Sequence, residues 1–184
     1  MARLPFDPSD LDAADRALYD GMVARRKGQG APFGGPYEAL MNHPQLCRLV
    51  EELGFYLKFQ GHLPREVYQF VVLSVAKQTG SDFEWADHVA HARAAGIPEE
   101  VMGLLQSGGG AAVGLPEPYG VAAQVLASTL AWKDIPQPIQ DAAIAAFGVR
   151  GFVEIVVTSG FYQMFSAINQ GFDVDLPDGS SRPA

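Results

Sequence analysis

Glu84, His88 and His91 are the residues whose types and spacing most readily support chemistry. On a helix four residues turn about 400°, so Glu84 and His88 share one face a turn apart, with His91 near the same line. A carboxylate so placed can hold an imidazole by a charge-assisted hydrogen bond, fix its tautomer and raise its pKa, which suits a general acid or base near neutrality. Phe83 and Trp85 beside them offer an apolar wall. The same residues also have plain structural readings. Ser81 and Glu84 stand at capping-box spacing, in which Ser81 caps the helix and Glu84 reaches back to the backbone. From pattern alone His88 reads more readily as a satisfied interior histidine, and His91 as solvated or paired with Asp87.

A metal site on Glu84, His88 and His91 needs further ligands, and His43 and His62 fall in loops with no matching acidic cluster, so none is expected. Cys47 is the only cysteine, which excludes an intrachain disulfide, a redox pair and a thiolate metal cluster. Its neighbours Leu46, Leu49 and Val50 mark it as a core residue rather than a nucleophile. No phosphate loop, nucleophile elbow or dinucleotide fingerprint occurs, and Gly108-Gly109-Gly110, which follows no strand, reads as a linker.

These residues sit in a chain of 184 residues, 48% hydrophobic and 18% charged, enough to bury a core as a single domain over 1–184. A net charge of -8 with 13 thinly spread basic residues disfavours nucleic acid. It leaves room for a small carboxylated substrate, because a local Arg or Lys acts whatever the sign of the whole surface. Residues 1–10 carry prolines and aspartates and do not read as a signal peptide, so a cytoplasmic location is expected. Apolar runs such as Val67 to Ala76, and the one around Ile155 to Val157, are too short to span a bilayer, and no membrane partner is expected.

Proline and glycine punctuation predicts an all-α chain. Ser9 is the expected N-cap of a first helix that ends at Arg25-Arg26-Lys27 and Gly28. A turn of helix follows at Tyr37 to Met41, and then a Pro44-initiated helix with Leu46, Leu49, Leu53 and Leu57 on one face. Pro64 opens a helix with a Val67, Phe70, Val71, Val75 stripe, closed by Gly80 in the left-handed position. Ser81 to Ala95 and Pro98 to Gln106 come next. Beyond the boundary expected at Gly108-Gly110, helices are predicted over Pro118 to Trp132, Pro138 to Phe147 and Gly151 to Gln170, with a tail over 173–184. Residues 65–74 align with 150–159, suggesting two related repeats, about 37–106 and 116–172, in which Asn169 and Asp173 stand opposite Glu84 and His88.

Leu63-Pro64, the Gln69 to Ala76 stretch, and Phe83 to His88 followed by Ala92-Arg93-Ala94-Ala95-Gly96-Ile97 together resemble the carboxymuconolactone decarboxylase family. The likeness extends to Gly35-Pro36, Asn42-His43-Pro44, Gly151 to Glu154 and Gly160-Phe161-Tyr162. It implies the helical alkylhydroperoxidase D-like fold, in the longer two-repeat branch, assembled as a homo-oligomer such as a trimer or a dimer of two-repeat chains. In the peroxidase branch a Cys-x-x-Cys precedes the motif histidine. Ser81 and Glu84 occupy those positions here, so the resemblance points to the decarboxylase branch instead. Many members carry a glutamate where this chain has Gln69, while Glu154 takes the equivalent place in the second repeat.

The resemblance therefore implies a cofactor-free lyase acting on a small carboxylated lactone. Loss of CO2 leaves electron density that the lactone carbonyl accepts as a dienolate, and the enzyme must stabilise that anion and return a proton. His88 is the expected proton carrier and Glu84 the residue that orients it. Gln69, Trp85, Tyr162 and Phe165 are expected to line the substrate site, and Arg93 to anchor a carboxylate, although a helix-end surface charge is its structural reading. The rivals are an isomerase or lactone hydrolase using the same pair, and a non-catalytic helical ligand-binding protein in which Ser81 and Glu84 form only a cap.

Overall fold

Helix ends fall where proline, glycine and short polar side chains leave the backbone few alternatives. A computed structural model describes residues 4–107 and 114–177, and among these every regular element is helical. The expected linker Gly108-Gly110 and the last residues of the tail lie outside the described residues.

The chain divides into two compact units. Among the described residues, one comprises 4–60 with Ala167–Asp175; the other is Gly61–Ser166 with Leu176 and Pro177. In the first unit, α1 (Ala13–Lys27) and α2 (Pro36–Leu40) pack against α3 (Pro44–Phe59). Helix α1 starts later than the Ser9 cap predicts. The Asp12 carboxylate accepts the N–H groups of Ala14 and Asp15, both at 2.9 Å, while Ser9 lies in a short 3-10 turn capped by Asp7. The Asp12 side chain thus displaces the serine as the starting cap.

Helix α3 turns a different face inward from the one expected. Leu46, Leu49 and Leu53 are 44, 55 and 41% exposed, and Leu57 alone of that stripe is buried. The inward face carries Cys47, Val50, Glu51, Gly54 and Phe55. Its orientation follows from an ion pair: the Glu51 carboxylate, fully buried, meets Arg25 of α1, with Arg26 at 3.8 Å. Cys47 is buried with its sulfur 3.5 Å from the Tyr37 carbonyl, and burial followed by the Glu51 charge pushes its thiol up to about 12.

The second unit is built around α4 (Arg65–Thr79), against which α5 (Asp82–Ala94), α6 (Glu99–Gln106) and α7 (Tyr119–Leu130) pack. Every residue from Val67 to Ala76 is buried, so α4 has no solvent face and its polar Gln69 and Ser74 lie in the core. Ser74 satisfies itself locally, its hydroxyl donating to the Phe70 carbonyl at 2.7 Å. Gly80, with φ of 65°, closes the helix as expected and lets α5 begin after Ser81.

The last two predicted helices join into one run, α8 (Gln137–Gly171), interrupted only at Gly148, whose φ of 69° and ψ of 169° are non-helical. By length and composition this joined run is apolar enough to cross a membrane, which the shorter pieces read from sequence are not. Ile155, Thr158, Phe161, Tyr162 and Phe165 are buried in the second unit, while Val149, Val153, Val157 and Met164 form an exposed apolar line.

Candidate active site

Three helices of the second unit bring polar side chains to one buried place. Gln69 comes from the centre of α4, His88 from the middle of α5 and Tyr162 from α8. Their residue exposures are 0, 2 and 5%. Helix α5 can place His88 there because Ala92, one turn on, is itself fully buried and keeps that side of the helix close to its neighbours. At the far end of α4, the Thr79 and Ser166 hydroxyls meet at 2.8 Å and tie α4 to α8.

The side chains form a hydrogen-bonded line. Gln69 Oε1 lies 2.8 Å from His88 Nδ1, His88 Nε2 lies 3.3 Å from the Tyr162 hydroxyl, and that hydroxyl lies 2.6 Å from the hydroxyl of Tyr68. With an amide oxygen as acceptor, Nδ1 carries the hydrogen and Nε2 of the neutral ring carries the lone pair. Two carboxylates face that same nitrogen: Asp87 Oδ2 at 3.5 Å and Glu84 Oε2 at 3.7 Å. Glu84 is buried, whereas the Asp87 side chain is 39% exposed and marks the side nearest solvent. The Tyr162 ring stands edge-on to the imidazole, with centroids 5.3 Å apart and planes at 87°.

The predicted pair of Glu84 and His88 is thus brought together, and of the two structural alternatives the capping box is the one that fails. Ser81 occupies the N-cap position of α5 without a side-chain cap hydrogen bond, so the capping box does not form. Its buried Oγ has no hydrogen-bond partner among the described residues, and the Glu84 carboxylate faces His88. His88 is an interior histidine, as the plain reading holds, but its nitrogens meet Gln69 on one side and Tyr162 on the other. The Gln69 amide nitrogen, also buried, has no hydrogen-bond partner among the described residues.

The remaining predicted residues divide. Phe165 is 3% exposed, stacks on Phe161 with centroids 4.5 Å apart, and lies 6.1 Å from the Tyr162 ring, which puts it behind the site. Trp85 is buried with the Lys77 ammonium 5.9 Å from its ring. His91 is exposed, its ring 6.0 Å from that of His88. Arg93 stands apart: its side chain is 54% exposed and its Nε donates to Glu99 Oε1 at 2.8 Å. That hydrogen bond and the Glu99 charge raise its pKa further, as befits the helix-end surface charge rather than a carboxylate anchor in the cluster.

Sequence reasoning missed Tyr68, which hides in an apolar run, and Asp87, assigned only to His91. It also missed a second histidine-carboxylate pair. Glu154 accepts from the backbone N–H groups of His62 at 2.7 Å and Leu63 at 3.0 Å, and its other oxygen lies 2.9 Å from His62 Nδ1. Arg150 approaches the opposite ring nitrogen at 3.1 Å. The loop holding His62 therefore does have an acidic partner, supplied from α8. Among the described residues, no group of three or more His, Cys, Asp and Glu side chains is placed to hold a metal ion.

Residues 44–134 match the carboxymuconolactone decarboxylase family. No curated protein matches the chain. Two solved structures are similar in fold. One is a protein of unknown function from Agrobacterium tumefaciens, described as an AhpD-type antioxidant defence protein, with TM-score 0.63, 19% identity, and coverage of 78% of this chain and 99% of that one. The other is the debrominase Bmp8 in complex with 2,3,4-tribromopyrrole, with TM-score 0.65, 14% identity, and coverage of 91% of this chain and 90% of that one. At such identities the likeness concerns the helical fold, here of the alkylhydroperoxidase D-like kind. The matched span runs from α3 through α7 and holds Tyr68, Gln69, Glu84 and His88, and by that match the chain belongs to the carboxymuconolactone decarboxylase family.

Proposed function

We propose that this protein is a lyase that decarboxylates a small carboxylated unsaturated lactone, with His88 as the residue that handles the proton. The observation that carries the reading is the buried imidazole held through Nδ1 by Gln69, with Nε2 turned toward Tyr162, Glu84 and Asp87. The lactone carbonyl takes up the electrons left by CO2, so the chemistry itself calls for no organic cofactor. What it demands is a proton source in a dry place and groups that favour the transition state over the ground state.

Each side chain then has a task. Gln69 fixes the ring and the tautomer, and its unpartnered amide N–H groups are a donor for a substrate oxygen. Glu84 and Asp87 favour the imidazolium by their charge, so that His88 can hold a proton at near-neutral pH. Trp85 and Phe165 supply apolar walls. With a single cysteine the chain has no dithiol for thiol peroxidase chemistry. Self-association is supported by two apolar lines left exposed, one on α3 and one on α8.

The test is direct. Purified protein mixed with a 4-carboxymuconolactone-type substrate is expected to release CO2 with loss of the lactone's ultraviolet absorbance. His88→Ala is expected to slow turnover by about 10²- to 10⁴-fold, the usual contribution of a positioned acid or base. Unchanged turnover in that variant, with the fold intact, removes His88 from the mechanism. Lactone opening or double-bond migration without CO2 would assign the site to hydrolase or isomerase chemistry instead.

A further inference from the structure

The geometry points to Tyr162 as the group that passes the proton between His88 and the substrate, with Tyr68 as the positioning residue that holds its hydroxyl in line. This rests on the reading of His88 as the acid and base of the site. Three observations carry it. The Tyr162 hydroxyl, at 3.3 Å, is nearer to His88 Nε2 than either carboxylate, at 3.5 and 3.7 Å. The 2.6 Å separation of the Tyr68 and Tyr162 hydroxyls lies at the short end of the O–H···O range, so the two are directly hydrogen-bonded. The two rings come from different helices and are 3 and 5% exposed, so the contact belongs to the core of the site and not to its surface.

The order of donors follows from the acceptor at the far end. Gln69 Oε1 accepts from Nδ1–H, so Nε2 of the neutral ring accepts from Tyr162 O–H, and the Tyr162 oxygen accepts from Tyr68 O–H. When His88 is protonated, the direction of the Nε2 contact reverses and Tyr162 has its own hydrogen to give. As the dienolate carbon is protonated, the Tyr162 O–H bond breaks and a C–H bond forms. The proton on Nε2 moves to the Tyr162 oxygen, leaving phenol and neutral imidazole. Tyr68 donates to that oxygen throughout and neither gains nor loses a proton. His88 then recovers a proton from solvent, on the side where Asp87 is exposed. Among the described residues, the charged and titratable groups near these hydroxyls and the His88 ring include Glu84, Asp87 and His91 on α5, with the Arg65 guanidinium 5.3 Å from the Tyr68 ring centre.

Three measurements test this, one of them without substrate. In the free protein, ¹⁵N resonances of the His88 ring are expected to move in Tyr162→Phe and also in Tyr68→Phe, although the Tyr68 hydroxyl meets that of Tyr162 rather than the ring. A His88 signal that moves in the first variant and stays fixed in the second overturns the role of Tyr68; one that moves in neither overturns the chain. With lactone as substrate, Tyr162→Phe is expected to lower kcat by about a hundredfold with little change in KM, and Tyr68→Phe to lower it less. Wild-type kcat in Tyr162→Phe overturns Tyr162 as proton donor. Biosynthetic fluorotyrosine keeps both hydroxyls but makes them more acidic, and so covers a phenylalanine variant that fails to fold. The kcat pH profile should move to lower pH when a phenol carries the proton, and an unmoved profile overturns the proposal. If wild type does not turn over the lactone at all, the functional reading fails on its own account, while the resonances still judge the chain.

Discussion

Gln69 Oε1 accepts a hydrogen bond from His88 Nδ1 at 2.8 Å, between two side chains that are 0 and 2% exposed. An amide holds the ring without adding charge, which leaves the protonation of His88 to the groups facing Nε2. Gln69→Glu puts a carboxylate in the same place and is expected to raise the His88 titration midpoint by about one unit or more, because a close opposite charge favours the imidazolium. Histidine NMR titration reads this directly; an unmoved midpoint means that the contact does not control the ring. Gln69→Leu leaves Nδ1–H buried without its acceptor and is expected to cost about 1–3 kcal/mol of stability.

Glu154 binds the backbone of residues 62 and 63 as well as the His62 ring. Replacing it with Gln keeps the shape but removes the charge and one acceptor oxygen. The amide oxygen can still accept the two backbone N–H groups that share Oε2, but the His62 ring nitrogen then faces an amide NH2 instead of a carboxylate oxygen, and a loss of about 1–3 kcal/mol is expected in urea denaturation. Turnover per folded molecule should stay within a few-fold of wild type, which separates this second histidine-carboxylate pair from the one at His88.

Cys47 is buried, and its thiol is pushed up to about 12, so almost none of it is thiolate at neutral pH. Alkylation by iodoacetamide at pH 8 is expected to be negligible in the folded protein and fast in denaturant. Labelling of Cys47 should therefore report unfolding; rapid labelling of the native protein, with its helical signal intact, contradicts the burial.

Glu51 gives a pH dependence of definite sign. Burial raises its pKa, and the attraction of Arg25 and Arg26 offsets that only in part. Between the ordinary glutamate value, about 4.3, and the raised native value, the folded chain holds a proton that the unfolded chain has released. The contribution of this group is therefore fully present below the unfolded value and lost as pH rises through the folded one. Calorimetry of wild type and Glu51→Gln across this range is expected to show the wild-type melting temperature losing ground to the variant as pH increases. A difference that is constant with pH refutes the raised value.

The helix boundaries were legible because their causes are local. Pro44, Pro64 and Pro98 mark helix starts, and Gly80 a helix end, within a residue or two. What depends on tertiary packing was less so. The Leu46, Leu49, Leu53 stripe has faultless helical spacing yet faces outward, because the buried Glu51 and its arginine partners orient α3. The Ser81-x-x-Glu84 spacing is that of a capping box, but a carboxylate with an imidazole one turn away has a competing partner. Glu84 and His88 were found from a spacing of four. Gln69 and Tyr162 were named only through the family resemblance and Tyr68 not at all, because they lie on α4 and α8 and no periodicity within one helix could bring them to His88.

Helix α4 has no face turned to water between Val67 and Ala76, and the same stretch contributes both Tyr68 and Gln69. Changes there alter packing and reactivity at once, so this is the segment least open to redesign. Anyone adapting the scaffold to a new substrate has more freedom on the outer side of α5, around Ala90 and Ala94, where side chains already meet solvent and a library of variants can be sampled without disturbing the helix at the centre.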